Sequence, residues 1–445
     1  MTDYIVTLPT NMHNMVIYGC IGIFGGAIME KIIVEGGRRL TGEVCVTGAK
    51  NAVLPILAAT VIGANESTIF NVPNLKDVDV MEKILLSLGC NVKRMDNMMW
   101  VDSKPLDKIK IPEDLVSEMR SSIILMGAML ARTGEVVVSY PGGCEIGPRP
   151  IDMHLKALRE LGADIEESHG FIYAKAAELK GCEIQLDYPS VGATENAILA
   201  ATRAKGTTVI RNAAREPEIV DLQNFLNKAG AKISGAGTSV VMVEGVDKFH
   251  DVSYTTMPDR IVAGTYMVAS AITGGEIVVK NIVIDHLQAT IAKLKEAGSL
   301  IYYDNDSLKI VGPKRPNSIE MIQTLPYPGF PTDMQAQIMA LLTIANGTSI
   351  ISETVFENRF KHAEELIKMG ASIKLFGNVA VVKGVKELTG AKTTAKDLRG
   401  GACLVLAGLA AKGITVVENV YHIERGYENF HEELRKLGAE IRKVE

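Results

Sequence analysis

The residues best equipped for chemistry begin with a thiol. Cys144 lies in the stretch Ser139–Pro150, where three prolines and three glycines fall within twelve residues. Such a stretch forms neither a helix nor a central strand, so it is an ordered loop. It joins an apolar strand, Glu135 to Val138, to an amphipathic helix beginning near Ile151. A cysteine there is not packed in a core as most free cysteines are. A cation such as Arg149, five residues on, lowers a thiol's pKa and makes it chemically useful. An exposed cysteine without a task is the other reading, and the loop alone does not separate the two.

A second set of polar residues sits where apolar helices begin: Lys50 with Asn51, Arg120, Ser190 with Gly192, Asp259 with Arg260, Asp333, and Asp397 with Arg399. Singly, each has an ordinary explanation. Asp333 and Asp397 complement a helix dipole, Ser190 is an N-cap, and Arg120 is a solvated arginine. Their common position raises them together, because the spacing runs near ~70 residues throughout, the period of a structural repeat. Helix N-termini present unpaired N–H groups and partial positive charge, which bind anions. Several of them, joined by Lys and Arg between two lobes, describe a cleft for a phosphate or carboxylate.

The elements that must position these residues recur six times. An amphipathic helix ends in Leu88-Gly89-Cys90, Leu161-Gly162-Ala163, Ala229-Gly230-Ala231, Ala297-Gly298-Ser299, Met369-Gly370-Ala371 and Leu437-Gly438-Ala439. Each glycine is expected at a C-cap with positive φ. An alternating strand, a turn and a second strand follow, as in Ala371–Leu375 and Val379–Val382. Between these pieces lies an apolar helix leading to a β-branched strand, such as Gly206–Ile210 or Gly413–Val417. The unit reads helix, strand, helix, strand, strand, and each needs neighbours to cover its apolar helix. Six units close into one array or form two clusters of three. The 445-residue length favours two clusters, since single cores stop growing near roughly 250–300 residues.

Composition narrows the classes. The chain is 47% apolar and 22% charged with a net charge of −5, which argues against general nucleic-acid or membrane binding. The six cysteines, Cys20, Cys45, Cys90, Cys144, Cys182 and Cys403, form no C-x-x-C pair and suit a reducing cytosol better than a disulfide framework. The eight histidines have no metal-ligand spacing, so no metal is expected. Gly235-Ala236-Gly237 lacks the rest of a dinucleotide fingerprint and reads as a hairpin turn. Val16–Ile28 is apolar but too short to span a bilayer, and no Lys or Arg precedes it as in a secretory signal. Residues 1–28 are therefore read as an extension outside the fold.

Specific motifs add a resemblance. Gly48-Ala49-Lys50-Asn51, Pro141-Gly142-Gly143-Cys144, Gly147-Pro148-Arg149-Pro150-Ile151-Asp152, Ser190-Val191-Gly192-Ala193-Thr194, Glu216-Pro217-Glu218, Phe330-Pro331-Thr332-Asp333, Thr354–Arg359, Asp397-Leu398-Arg399 and Tyr421–Arg425 are together highly specific. From about Met29 to the C-terminus the chain resembles the UDP-N-acetylglucosamine enolpyruvyl transferase family. The resemblance implies an α/β (α+β) fold of two domains, each with three βαβαββ units around buried parallel helices, an inside-out α/β barrel. It implies domains of 29–49 plus 258–445 and of 50–257, because the chain crosses twice.

The implied reaction moves the enolpyruvyl group of phosphoenolpyruvate to the 3-hydroxyl of UDP-N-acetylglucosamine, for peptidoglycan synthesis in the cytoplasm, without a cofactor. The protein would be a monomer or weak homo-oligomer. By resemblance Cys144, Asp333, Lys50 and Arg399 are catalytic, and fosfomycin would alkylate Cys144. Lys50, Asn51, Arg120, Arg149, Arg399 and Arg425 would bind phosphoenolpyruvate. Asn51, Arg120, Arg149, Pro150, Ile151, Asp152, His154, Ser190, Val191, Gly192, Asp333 and Val355 would line the sugar-nucleotide site. Some members carry a lysine shortly before Ser190, where this chain has Tyr188-Pro189. Two rivals remain: the sibling transferase acting on shikimate 3-phosphate, which lacks the cysteine loop, and a non-catalytic sensor of sugar nucleotides.

Overall fold

The computed structural model describes residues 30–140 and 151–445. The extension and the loop holding Cys144, Arg149 and Pro150 lie outside the described residues. The repeat appears as six small sheets. In the second cluster, Met321–Gln323 pairs parallel with Thr348–Ser352, which pairs antiparallel with Val379–Lys383, itself the partner of Ser372–Phe376. The same order recurs in the sheet built on Thr207–Arg211. One sheet has three strands: its parallel partner shrinks to a single bridge between Lys110 and Val137, cut short by Pro112, which offers no N–H. The six repeat glycines, Gly89, Gly162, Gly230, Gly298, Gly370 and Gly438, have φ between 90° and 110°, as a left-handed C-cap requires. Gly235–Gly237 is the turn of the hairpin between Lys232–Ser234 and Val240–Glu244.

Six apolar helices are buried nearly all round: α1 (Lys50–Ala59), α2 (Leu125–Thr133), α3 (Val191–Ala201), α4 (Arg260–Thr273), α5 (Gln335–Leu342) and α6 (Leu398–Ala410). A helix with no polar face has to be enclosed by its neighbours. Enclosure produces two separate cores. One runs from Val53 to Val252; the other joins Ile32–Val46 to Ile261–Ile441.

The chain passes between the cores twice, and the strand just before each passage pairs at long range within its own core. Thr41–Cys45 pairs parallel with Glu276–Lys280 of the second core. Val252–Thr255 pairs parallel with Glu66–Phe70 of the first. Lys31–Glu35 likewise sits between Ile414–Glu418 and Glu440–Val444, so the start of the described chain completes its last sheet. Among the described residues no helix is long and apolar enough to cross a membrane. Cys45, Cys90, Cys182 and Cys403 are free thiols.

The helix packing leaves no slack where α2 meets α3. A Cβ on Gly127 would lie 2.3 Å from the Asn196 carbonyl oxygen. That neighbour is backbone inside a helix, which cannot swing aside. Gly127→Ala is expected to destabilise the protein by about 1–3 kcal/mol through overpacking, read as a lower urea midpoint than that of the parent protein.

Candidate active site

The first turn of α1 carries Lys50, whose ammonium lies 3.2 Å from the Asp77 carboxylate. Asp77 stands in the first turn of the helix Lys76–Ser87 and is buried. Arg425 reaches it from the other core, Nε to Oδ1 at 2.7 Å and Nη2 to Oδ2 at 3.4 Å. Burial alone would raise the Asp77 pKa, but Lys50 and Arg425 outweigh it and hold the carboxyl below its ordinary range. Lys50 is pushed down, first by burial and then by Arg399 and Arg425, with Asp77 opposing.

A second ion cluster adjoins the first. Asp333, in the turn Thr332–Met334 that leads into α5, accepts from Arg399 Nε at 3.2 Å and Nη2 at 2.9 Å. Its other oxygen accepts from Arg359 Nη2 at 2.7 Å. Burial opposes ionisation of Asp333, yet Arg399, Arg359 and Lys50 overcome it and depress the pKa. Arg399 is 2% exposed and lies over the Tyr427 ring, 5.3 Å from its centroid. Its Nη1 is buried with no hydrogen-bond partner among the described residues. An unpaired guanidinium nitrogen in a protein interior is costly, and an anion is the group that relieves it. Four cations, Lys50, Arg359, Arg399 and Arg425, thus surround two carboxylates.

The third group belongs to the first core. His154, on the helix Asp152–Glu160, is buried and pairs through Nδ1 with Asn196 Nδ2 at 2.8 Å. Asn196 Oδ1 accepts from Gly127 N at 2.8 Å, and its amide donates to Ile123 O at 3.0 Å. That network orients the Asn196 amide, so His154 Nδ1 is the acceptor and Nε2 carries the proton. The imidazole lies against Gly192, where a Cβ would come within 2.8 Å of His154 Cε1. Ser190 caps α3, its hydroxyl accepting from Ala193 N at 3.3 Å. Glu353 ties Val355 to the Asp333 turn: Oε1 accepts from Val355 N and Oε2 from Thr332 Oγ1, both at 2.8 Å.

The comparisons agree on one lineage. The family described as EPSP synthase (3-phosphoshikimate 1-carboxyvinyltransferase) matches residues 34–434. The chain is 56% identical to UDP-N-acetylglucosamine 1-carboxyvinyltransferase 2 of Caldanaerobacter subterraneus subsp. tengcongensis, over 94% of this chain and 100% of that one. The chain belongs to the UDP-N-acetylglucosamine 1-carboxyvinyltransferase family. It is 50% identical to the enzyme of that name from Trichlorobacter lovleyi, over 94% and 99% of the two chains. Among solved structures, the enolpyruvyl transferase NikO from Streptomyces tendae superposes with a TM-score of 0.85 at 26% identity, covering 94% of this chain and 99% of that one. EPSP synthase from Acinetobacter baumannii shares the fold, with a TM-score of 0.73 at 17% identity and coverage of 94% and 100%.

In this carboxyvinyltransferase, Lys50, Asp333, Arg399 and Arg425 form one charged assembly. Arg120, at the start of the turn Arg120–Ile124, acts electrostatically on His154. Asn51 follows Lys50 into α1, Val191 and Gly192 open α3, and all three are half-buried. Ile151 is buried beside the exposed Asp152. Cys144, Arg149 and Pro150 lie outside the described residues. Sequence reasoning missed Asp77, which looks like any acid in a first helical turn, and gave no role to Arg359, although its motif was recognised. It also missed contacts between the cores: Glu218 with Arg260 at 3.0 Å, and Tyr327 N with Glu216 Oε1 at 3.2 Å. The latter pair stand 111 residues apart in the chain, and only folding joins them.

The environment of His154 makes a pH prediction. Burial, with Arg120 adding to it, lowers its pKa to about 4, against about 6.5 when unfolded. Between these values the unfolded chain binds more protons, so His154 subtracts stability as pH falls through that window. The loss reaches on the order of 3 kcal/mol by pH ~4. Urea unfolding from pH 7 to 4 should show the advantage of the parent protein over His154→Gln shrinking; a constant gap would contradict a neutral buried imidazole.

Proposed function

We infer that the protein transfers the enolpyruvyl group of phosphoenolpyruvate to the 3-hydroxyl of UDP-N-acetylglucosamine and releases phosphate, as its relatives' name describes. This is the committed reaction of peptidoglycan synthesis. One observation carries the assignment of the site: Lys50, Arg399 and Arg425 gather at one place, with a buried Arg399 nitrogen left unpaired among the described residues. A ligand with phosphate and carboxylate charges answers that arrangement. Asn51, Arg120 and Arg149 complete the phosphoenolpyruvate contacts in this reading. The sugar nucleotide lies along Asn51, Arg120, Arg149–Asp152, His154, Ser190–Gly192, Asp333 and Val355. Gly192 leaves room for the His154 imidazole to pack against the start of α3, and that adjacency supports assigning both residues to one subsite.

The chemistry follows from the groups. The sugar hydroxyl oxygen bonds to the central carbon of phosphoenolpyruvate while the methylene carbon takes a proton from Cys144. Asp333 accepts the hydroxyl proton, and a tetrahedral intermediate forms. Return of a methyl proton to the Cys144 thiolate, and departure of phosphate with the proton held by Asp333, then restore the enol double bond, with the fixed cations stabilising the leaving anion. An Asp333 held by two arginines is a weak base. The incoming anion competes with Asp333 for Arg399 and frees the carboxylate for its task.

The two cores, each closed by a long-range strand pair of its own, support domains of 29–49 with 258–445 and of 50–257, with three units in each. The free thiols suit a cytoplasmic location. A cation assembly drawn from a single chain suits a monomer or weak homo-oligomer.

The test is phosphate release by the purified protein given both substrates, with shikimate 3-phosphate as an alternative acceptor. Release with UDP-N-acetylglucosamine alone among acceptors is expected; binding without release would replace the transferase by a sensor. Cys144→Ser should slow turnover by about 10²–10⁴-fold, the usual worth of a positioned acid, while calorimetry finds sugar-nucleotide binding retained. Activity equal to the parent protein's would remove Cys144 from the mechanism.

A further inference from the structure

Helix α1 starts without a cap of its own. Its N-cap is Ala49, which supplies no side-chain acceptor, and alanine is among the poorest residues at that position. The missing acceptor comes from the other crossover. Asp259, 5% exposed, accepts from Lys50 N through Oδ2 at 3.2 Å. Through Oδ1 it accepts from Ile261 N at 2.8 Å and Val262 N at 3.0 Å, capping α4. One carboxylate therefore fastens the first turns of two helices that belong to different cores.

The surrounding backbone makes this a junction. Ala49 N donates to Met257 O at 2.8 Å, and Asp259 N donates to Thr47 O at 3.0 Å. Gly48 and Pro258 pair antiparallel between them. Gly48 also meets a third segment, since a Cβ there would fall 1.8 Å from the Asn71 carbonyl oxygen. Both covalent passages between the cores thus run side by side, and Lys50 is the first helical residue beyond one of them. Its ammonium is held on Asp77 and its amide on Asp259.

We propose that Asp259 is a positioning residue for the transfer reaction, tying the Lys50-bearing start of α1 to the second core and so setting the lysine's place against Arg399 and Asp333. The inference rests on the transferase reading above. Asp259 touches no reacting atom in this account; it acts through Lys50.

The discriminating variant in the full chain is Asp259→Asn. Asparagine caps a helix as well as aspartate does, so one oxygen continues to serve α4. The amide that replaces Oδ2 cannot accept from Lys50 N–H. Hydrogen exchange read by mass spectrometry should quicken about tenfold or more in the peptide covering 49–54 and stay unchanged in 260–265. The thermal midpoint should stay within about 4 °C of the parent protein. Turnover in phosphate release should fall about tenfold or more, as displacement of a binding group does, with the KM for UDP-N-acetylglucosamine nearly constant. Asp259→Ala should quicken exchange at both helix starts and lower the midpoint further. Unchanged exchange at 49–54 in Asp259→Asn, an equal or larger rise at 260–265, or undiminished turnover would overturn the proposal. If the parent protein releases no phosphate, the transferase reading fails on its own, and the exchange pattern still judges the tie.

Discussion

A buried helix start exposes N–H groups that water cannot reach, so each must find an acceptor within the protein. Six apolar helices impose that demand six times, and much of the architecture answers it. Ser190 and Asp397 serve their own helices. Asp259 serves two at once, and Asn196 supplies the amide of Gly127 from the neighbouring helix. Where the acceptor comes from elsewhere in the chain, local structure and tertiary structure are the same bond. The polar ends of these helices are therefore fixed points, and the charged groups beside them inherit that rigidity.

The charged assembly shows a second level of the same economy. Buried ions are expensive unless each is paired and hydrogen-bonded. Asp77 and Asp333 each take two cations, and both answer to Lys50 electrostatically. Among the described residues Arg399 keeps one nitrogen unpaired. An assembly of this kind favours an anion as its ligand. The Asp77–Arg425 and Glu218–Arg260 pairs also bridge the two cores, so the charges that prepare the site help to hold the halves of the chain together.

Much of the candidate site was legible before folding because a repeat carries positional information. The period located Lys50, Arg120, Ser190, Asp259, Asp333 and Asp397 at equivalent helix starts, and every one lies at or beside such a start. The glycine signature likewise announced six left-handed caps. Ser190 keeps the modest role of an N-cap alongside any other. Asp77 and Arg359 escaped notice because nothing in their local pattern differs from ordinary helix and loop charges. Their significance lies in partners 348 residues away for Asp77 and 26 for Arg359.

By itself the sequence determined the repeat, the caps, the apolar helices and the types of residue at their ends, since all of these depend on neighbours within a few turns of chain. Only the tertiary structure decided which acid would face which cation, and which distant strand each segment beside a crossover would pair with. Those choices follow from long-range strand pairing and from packing between distant segments. Thr41–Cys45 and Val252–Thr255 look alike as strands, and their partners become visible only through the sheets they join. The same passage brings Asp259 to Lys50, a pairing across 209 residues that local periodicity has no means to encode.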